Sequence, residues 1–198
     1  MLALKLGCAA GAVLVASLVV LSRAQTRVWH DSRTLWEHAA EVTPTPMVLW
    51  FLGLELKAED PQHAAELFRR AAELNPDYGN AWYEYGKLAH AAGALSEAEG
   101  AYTRAVECME QPYVARVDLG VLYFMTGRRE EGVRELRTAV DEVERGGAAD
   151  RQGRPHMALG MVLLEMGRRA EGVEWIRKAA GFGDMKEAAE RKLRELGE

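Results

Sequence analysis

The sequence predicts an all-α protein: an apolar amino-terminal helix, then a solenoid of about four helical hairpins, then a capping helix. Three observations support this prediction. Strand-like alternation of apolar and polar residues is nearly absent, and the chain is rich in the helix formers Ala, Leu, Glu and Arg. Residues 6–21 form an uncharged apolar run. A pattern of glycine, large apolar and alanine residues then recurs about every 34 residues, a period typical of stacked helical hairpins.

The amino-terminal segment is long enough to cross a membrane. About 20 helical residues span the hydrocarbon core, and residues 2–22 reach this length if the Lys5 side chain extends to the membrane surface. We therefore expect residues 1–24 to be a single-pass membrane anchor. A cleaved signal peptide is the alternative, because small residues precede a possible cleavage site ahead of Gln25.

Four hairpins are predicted within residues 46–183. Gly86 and Gly120 are 34 residues apart, and Gly160 follows 40 residues after Gly120 because of an insertion around residues 145–151. Each of these glycines is expected to let the second helix of a hairpin approach the first. The large apolar residues of the second helices are each followed three residues later by an alanine, and they are Phe68, Tyr102, Leu136 and Ile176.

Further glycines indicate turns and helix crossings. Gly93, Gly127 and Gly167 are expected to end first helices in the left-handed conformation that glycine favours. Gly132 and Gly172 lie inside second helices, where the earlier repeats carry alanine. We expect both to lie where the two helices of a hairpin cross.

The segments on either side of the four hairpins are also predicted to be helical. Residues 25–45 match the second helix of a hairpin without a recognisable first helix, and Trp36 takes the place of the large apolar residue. We expect this half repeat to lie near the membrane and to pack against the connecting segment, including Val28 and Trp29. Residues 184–198 form an amphipathic helix that covers the last hairpin, because an uncapped solenoid end would be apolar.

The repeat resembles the tetratricopeptide repeat family. Trp82, Gly86, Ala98 and Tyr102 stand at the positions that carry the resemblance best. The resemblance covers roughly residues 46–183. It implies a right-handed solenoid whose first helices bind ligands on their concave side.

On that side we expect a mostly apolar row of binding residues for a protein or peptide partner, most simply an apolar helical segment. Large exposed apolar surfaces usually indicate interaction sites, and methionine suits adaptable ones. Packing of several of these residues against a neighbouring helix is the alternative. The alternating Lys and Asn pattern of chaperone-binding members is missing, since Lys87 and Asn80 stand nearly alone. The predicted row consists of Trp50, Leu54, Tyr83, Lys87, Val117, Val121, Phe124, Met157 and Met161.

The junction behind the apolar run is similar to the carboxyl-terminal end of membrane mannosyltransferases that carry trailing tetratricopeptide repeats. The motif "VWHDSRTLWEHA" (28–39), followed by a proline, carries this resemblance. It implies repeats outside the cytoplasm, whereas the arginines after the apolar run favour a cytoplasmic location. The side of the membrane therefore stays open. The chain contains no part like the catalytic loops of that family.

No catalytic, cofactor or metal site is predicted. The five histidines form no ligand pair four residues apart, no phosphate-binding glycine motif occurs, and no serine stands in a nucleophile motif. We expect the histidines to lie on the surface or in the groove. The net charge of −5 argues against nucleic acid.

The predicted function is that of a non-catalytic, membrane-anchored scaffold for protein–protein interaction. One alternative is an accessory or truncated part of a membrane-bound glycosyltransferase. A secreted or periplasmic binding module is the other, and it would follow from cleavage of the amino-terminal segment.

Overall fold

The computed structural model describes residues 17–22, 31–146 and 152–198, and every regular element within these ranges is a helix. Residues 17–22 are helical. The longer helices are, in chain order, α1 (Ser32–Val42), α2 (Pro46–Leu56), α3 (Pro61–Leu74), α4 (Gly79–Ala91), α5 (Leu95–Cys108), α6 (Tyr113–Met125), α7 (Arg129–Arg145), α8 (Arg154–Glu165), α9 (Arg169–Ala179) and α10 (Lys186–Leu196). They fall into two compact units, which divide between Leu74 and Asn75.

In the first unit, α1 packs against α2, the first helix of the hairpin α2–α3. The Trp36 ring stacks on the Phe51 ring, with 4.5 Å between the ring centroids and 7° between the planes. Within the hairpin, Phe68 lies against Gly53, where an added Cβ would lie only 2.6 Å from the phenyl ring. Trp36 thus packs on the first helix of the next hairpin, whereas Phe68 packs on the first helix of its own hairpin, and the half repeat stays a prediction. Residues 28 and 29, its other expected partners, lie outside the described residues.

The second unit contains the hairpins α4–α5, α6–α7 and α8–α9, and α10 packs on α9. The first helix of each hairpin is followed by a glycine in the left-handed region, with φ of +78° at Gly93, +88° at Gly127 and +79° at Gly167. Side chains are strained in this region, so the predicted glycine turns are confirmed.

Two glycine pairs bring the helices of the later hairpins into backbone contact. A Cβ added at Gly132 would lie 2.5 Å from the Gly120 carbonyl oxygen, and one added at Gly172 would lie 2.8 Å from the Gly160 carbonyl oxygen. Close packing of this kind leaves no room for a side chain. The predicted large apolar residues are all buried, with exposed fractions of 1% or less: Phe68, Tyr102, Leu136 and Ile176. The all-α fold of helical hairpins is therefore confirmed.

The predicted membrane anchor falls mostly outside the described residues. Of residues 2–22, the structure describes only 17–22, where Leu18, Val20 and Leu21 expose 56%, 66% and 65% of their surface. Within the described ranges, no helix combines the length and the apolar character that a bilayer span requires. The anchor and the alternative signal peptide both stay predictions.

Candidate binding cleft

Three first helices of the second unit are joined by a polar network. The Tyr83 hydroxyl on α4 donates a hydrogen bond to Oδ2 of Asp118 on α6, at 2.9 Å. The Arg154 guanidinium on α8 forms an ion pair with Oδ1 of the same carboxylate and lies 3.5 Å from the Tyr83 hydroxyl. One carboxylate thus holds together residues from three successive hairpins.

An open cleft of about 410 Å³ lies beside this network. The Lys87 amine lies 5.0 Å from the centre of the Tyr83 ring and 3.2 Å from the Glu84 carboxylate. The side chains of Lys87 and Arg154 remain 35% and 42% exposed, so the cleft presents two accessible cations beside aromatic rings. The residues that line the cleft are Lys87, His90, Ala91, Tyr102, Asp118 and Arg154.

At neutral pH, the Tyr83 hydroxyl is neutral and the Arg154 guanidinium is charged. Burial raises the pKa of the Tyr83 hydroxyl to about 12, and the negative charge of Asp118 adds to the shift. Burial disfavours the charged form of Arg154, but Asp118 and the hydrogen bond with Tyr83 outweigh it and raise the pKa of the guanidinium. A neutral phenol and a permanent cation can hold a ligand, but neither exchanges protons readily near pH 7.

The residues of the predicted apolar row do not all lie on one open surface, because α6 packs against α8. Val117 exposes 2% of its surface and belongs to a core cluster with Leu159 and Leu163, so its predicted place on an open surface is wrong. Phe124 is partly buried and packs against the same cluster. Neighbouring first helices cover the sides of α6 that a single repeat would leave open.

Other members of the row have different surroundings. Met157 and Met161 share a hydrophobic cluster with Leu193 and Leu196 of α10. This contact corresponds to the alternative in which row residues pack against a neighbouring helix. Partner binding through these two residues stays a prediction.

Three further members of the row are partly buried. Trp50 and Leu54 belong to the first unit, and Val121 belongs to the second. Tyr83 and Lys87, in contrast, contact each other, and Lys87 lines the cleft. The structure therefore brings only part of the predicted row together at one place.

The sequence interpretation missed Asp118 and Arg154. Arg154 stands six residues before Gly160, as Asn80 stands six residues before Gly86, so the repeat register offered a signal for it. Asp118 stands two residues before Gly120, as Glu84 stands two residues before Gly86, but the register gave no indication of its pairing with Tyr83 and Arg154, which are 35 and 36 residues away along the chain. This face of the first helices is consequently more polar than predicted.

His156 contradicts the expectation of surface or groove histidines. It exposes 1% of its surface, and its ring centroid lies 4.7 Å from that of Phe182 and 5.8 Å from that of Trp175. Its Nε2 lies 3.2 Å from Oε1 of Glu144. Burial lowers the pKa of His156, although the hydrogen bond with Glu144 opposes the shift. In the described part of the chain, no three His, Cys, Asp or Glu residues form a group that could hold a metal ion.

Comparison with solved structures supports the repeat fold. A crystal structure of MamA superposes with a TM-score of 0.62 and 19% sequence identity, covering 81% of this chain and 87% of that chain. A double mutant described as MamA RS-1 ArsTM gives 0.64 and 20%, covering 92% and 96%. A chain of the APC/C hetero-tetramer Cut9–Hcn1 gives 0.63 and 15%, covering 73% of this chain and 27% of that chain. Identities this low show a shared fold alone.

Comparison with known sequence families gives a match for part of the chain. No curated protein sequence matches the chain. The tetratricopeptide repeat family matches residues 52–112, a stretch that includes the hairpin α4–α5. Residues 52–112 therefore match the tetratricopeptide repeat family, and the chain shares its helical fold with the solved structures above.

Proposed function

We propose that the chain is a non-catalytic scaffold that binds a protein partner through the face of its first helices. The observation that carries this proposal is the open cleft beside Tyr83, Asp118 and Arg154, where the cationic side chains of Lys87 and Arg154 are accessible. Clefts with a few convergent polar groups are the usual form of a binding site. The neutral Tyr83 hydroxyl and the permanently charged Arg154 guanidinium support binding rather than proton transfer.

The proposed partner is a helical protein segment that carries apolar side chains and at least one carboxylate. The ring of Tyr83 and the half-buried Val121 offer the apolar contact. Arg154 has five N–H donors, and Asp118 and Tyr83 do not occupy all of them. Hydrogen bonds from Lys87 and Arg154 to a partner carboxylate would be charge-assisted and therefore comparatively strong.

We also propose that residues 2–22 anchor the scaffold in a membrane. Their length and lack of acidic residues support a single span. Burial of the exposed apolar side chains at Leu18, Val20 and Leu21 in lipid would remove them from water. Such an anchor would hold the bound partner at a membrane surface.

Site-specific photo-crosslinking in cells tests the binding face. A photoreactive residue at His90, inside the cleft, should give a crosslinked product of defined mass. The same residue at Glu107, exposed on α5, should give none. Lys87→Glu should reduce the His90 product at least tenfold, because it replaces a cleft cation by an anion. Arg104→Glu is the matched charge reversal on α5 and should leave the product unchanged.

Equal products from His90 and Glu107, or a His90 product that Lys87→Glu does not alter, would contradict binding at the cleft.

The anchor has a separate test. The chain should stay with membranes after carbonate extraction. A soluble species that begins near Gln25 would instead favour the signal peptide.

A further inference from the structure

The C-terminal helix α10 is less buried than the hairpin on which it packs. Ala189 is its one fully buried residue, whereas α8 and α9 bury six and four residues. Leu193 and Leu196 are only partly buried. Because hydrophobic stabilisation grows with the apolar area removed from water, α10 is held more weakly than its neighbours.

The surface beneath α10 is apolar and adaptable. Met157, Met161 and Leu164 of α8 pack in one cluster with Ile176 of α9 and with the apolar side of α10. Methionine side chains are flexible and adjust to different partners. Without α10, this cluster would be an exposed apolar patch, and such patches usually bind another protein surface.

Two arginines contact the end of α10. Arg169 donates a hydrogen bond to the Leu196 carbonyl oxygen, and Arg177 forms an ion pair with Glu198. The Arg177 side chain is 57% exposed, so water can replace its ion pair at little cost. These arginines would suit the carboxyl end of any helix on this surface, because that end carries partial negative charge.

The segment before α10 is held firmly. The Phe182 ring packs 4.7 Å from the buried His156 ring, between centroids. The Asp184 carboxylate accepts hydrogen bonds from the Gly153 N–H at 2.9 and 3.2 Å. A Cβ added at Gly153 would lie 2.9 Å from the Cβ atoms of both Phe182 and Met185, so this contact is tight. Release of α10 could therefore begin at Lys186 and leave the hairpin intact.

We propose that the surface beneath α10 is a second binding site, specific for an amphipathic helix of a partner, and that α10 is its exchangeable occupant. The occupant shows what the site accepts: a small residue followed by apolar residues four and seven positions later, as in Ala189, Leu193 and Leu196. An acidic residue just beyond the helix end would meet Arg177, as Glu198 does. The inference rests on the proposed protein-binding function and names the partner class at a site outside the cleft.

A labelled peptide of residues 184–198 tests the exchange on the full chain in mild detergent. Fluorescence anisotropy should show weak binding to the unaltered chain, since α10 competes. Leu193→Asp with Leu196→Asp should loosen α10 and bind the peptide at least tenfold more tightly. Arg191→Asp with Arg194→Asp places two aspartates at exposed positions of the same helix and should bind like the unaltered chain. Met161→Glu added to the leucine variant should abolish binding.

Hydrogen exchange of the unaltered chain tests the inference without any substitution. Amides of α10 should exchange at least tenfold faster than those of α9, and excess peptide should accelerate α10 further without affecting α9. The inference would be overturned if the amides of α9 and α10 exchanged in a single step. It would also be overturned if a folded leucine variant bound the peptide no more tightly than the unaltered chain. If the peptide does not bind while the His90 crosslinked product persists, only this inference is refuted. A bound peptide without the crosslink would instead remove the cleft as the binding face.

Discussion

The same substitution, glycine to alanine, should have opposite effects at two helical positions of the second unit. Gly132 in α7 and Gly100 in α5 both lie inside second helices, where alanine is favoured over glycine by about 0.5–1 kcal/mol. At Gly100, an added Cβ meets no atom within 4 Å. Gly100→Ala should therefore stabilise the chain by about 0.5–1 kcal/mol.

At Gly132, the added Cβ would lie 2.5 Å from the Gly120 carbonyl oxygen and 3.0 Å from the Phe124 nitrogen. Both are backbone atoms, which cannot rotate away, so the two helices must separate. Overpacking costs about 1–3 kcal/mol, and we expect the upper end here because backbone must move. After subtraction of the helix preference, Gly132→Ala should destabilise the chain by about 2 kcal/mol.

Urea unfolding followed by circular dichroism at 222 nm, in mild detergent, measures both variants. With a urea dependence of about 1–3 kcal/mol per molar, the midpoint should fall by about 1 M for Gly132→Ala and rise by a few tenths for Gly100→Ala. Shifts of the same sign and size would refute the close backbone approach between α6 and α7.

Two further predictions concern buried side chains of the second unit. Tyr102→Ala should destabilise by about 3–5 kcal/mol in the same assay, because Tyr102 exposes 1% of its surface and its removal leaves a cavity; a loss below about 1 kcal/mol would place the side chain outside the core. His156 predicts a pH dependence: burial lowers its pKa below the ordinary 6.5, so the unfolded chain binds a proton more readily than the folded chain. The contribution of neutral His156 to the free energy of unfolding is fully present above about pH 6.5 and is lost as the pH falls towards the lowered pKa. Thermal unfolding at several pH values measures this dependence, and His156→Gln should make stability vary less with pH in this range. An unchanged profile would contradict the role of His156.

The periodic features of the fold could be predicted from sequence because they are local and repeated. Gly127 needs only its own backbone conformation to end a helix, and Leu136 needs only its position on one side of a helix. Four copies at a nearly constant spacing made each such assignment stronger than a single occurrence would. The close contact of Gly120 with Gly132 followed from the same register.

The cleft could be predicted only in part. The register placed Tyr83 and Lys87 on one face, and the structure brings these two residues into contact, but the register also placed the buried Val117 there. Whether a residue on α6 is exposed or buried depends on the distance between α6 and α8. No sequence pattern within one repeat sets that distance. The sequence interpretation likewise gave no reason for His156 to be buried, because Trp175 and Phe182 enclose it from later in the chain.

The sequence by itself determined the helices, their order, the turns between them and the side of each helix that faces its hairpin partner. Those features depend on backbone conformation and on contacts within a hairpin, which recur in every repeat. The tertiary structure alone decided that Tyr83, Asp118 and Arg154 form one network and that α10 covers the methionines of α8. Such contacts depend on how successive hairpins stack, since a long side chain finds its partner through three-dimensional distance and not through spacing along the chain.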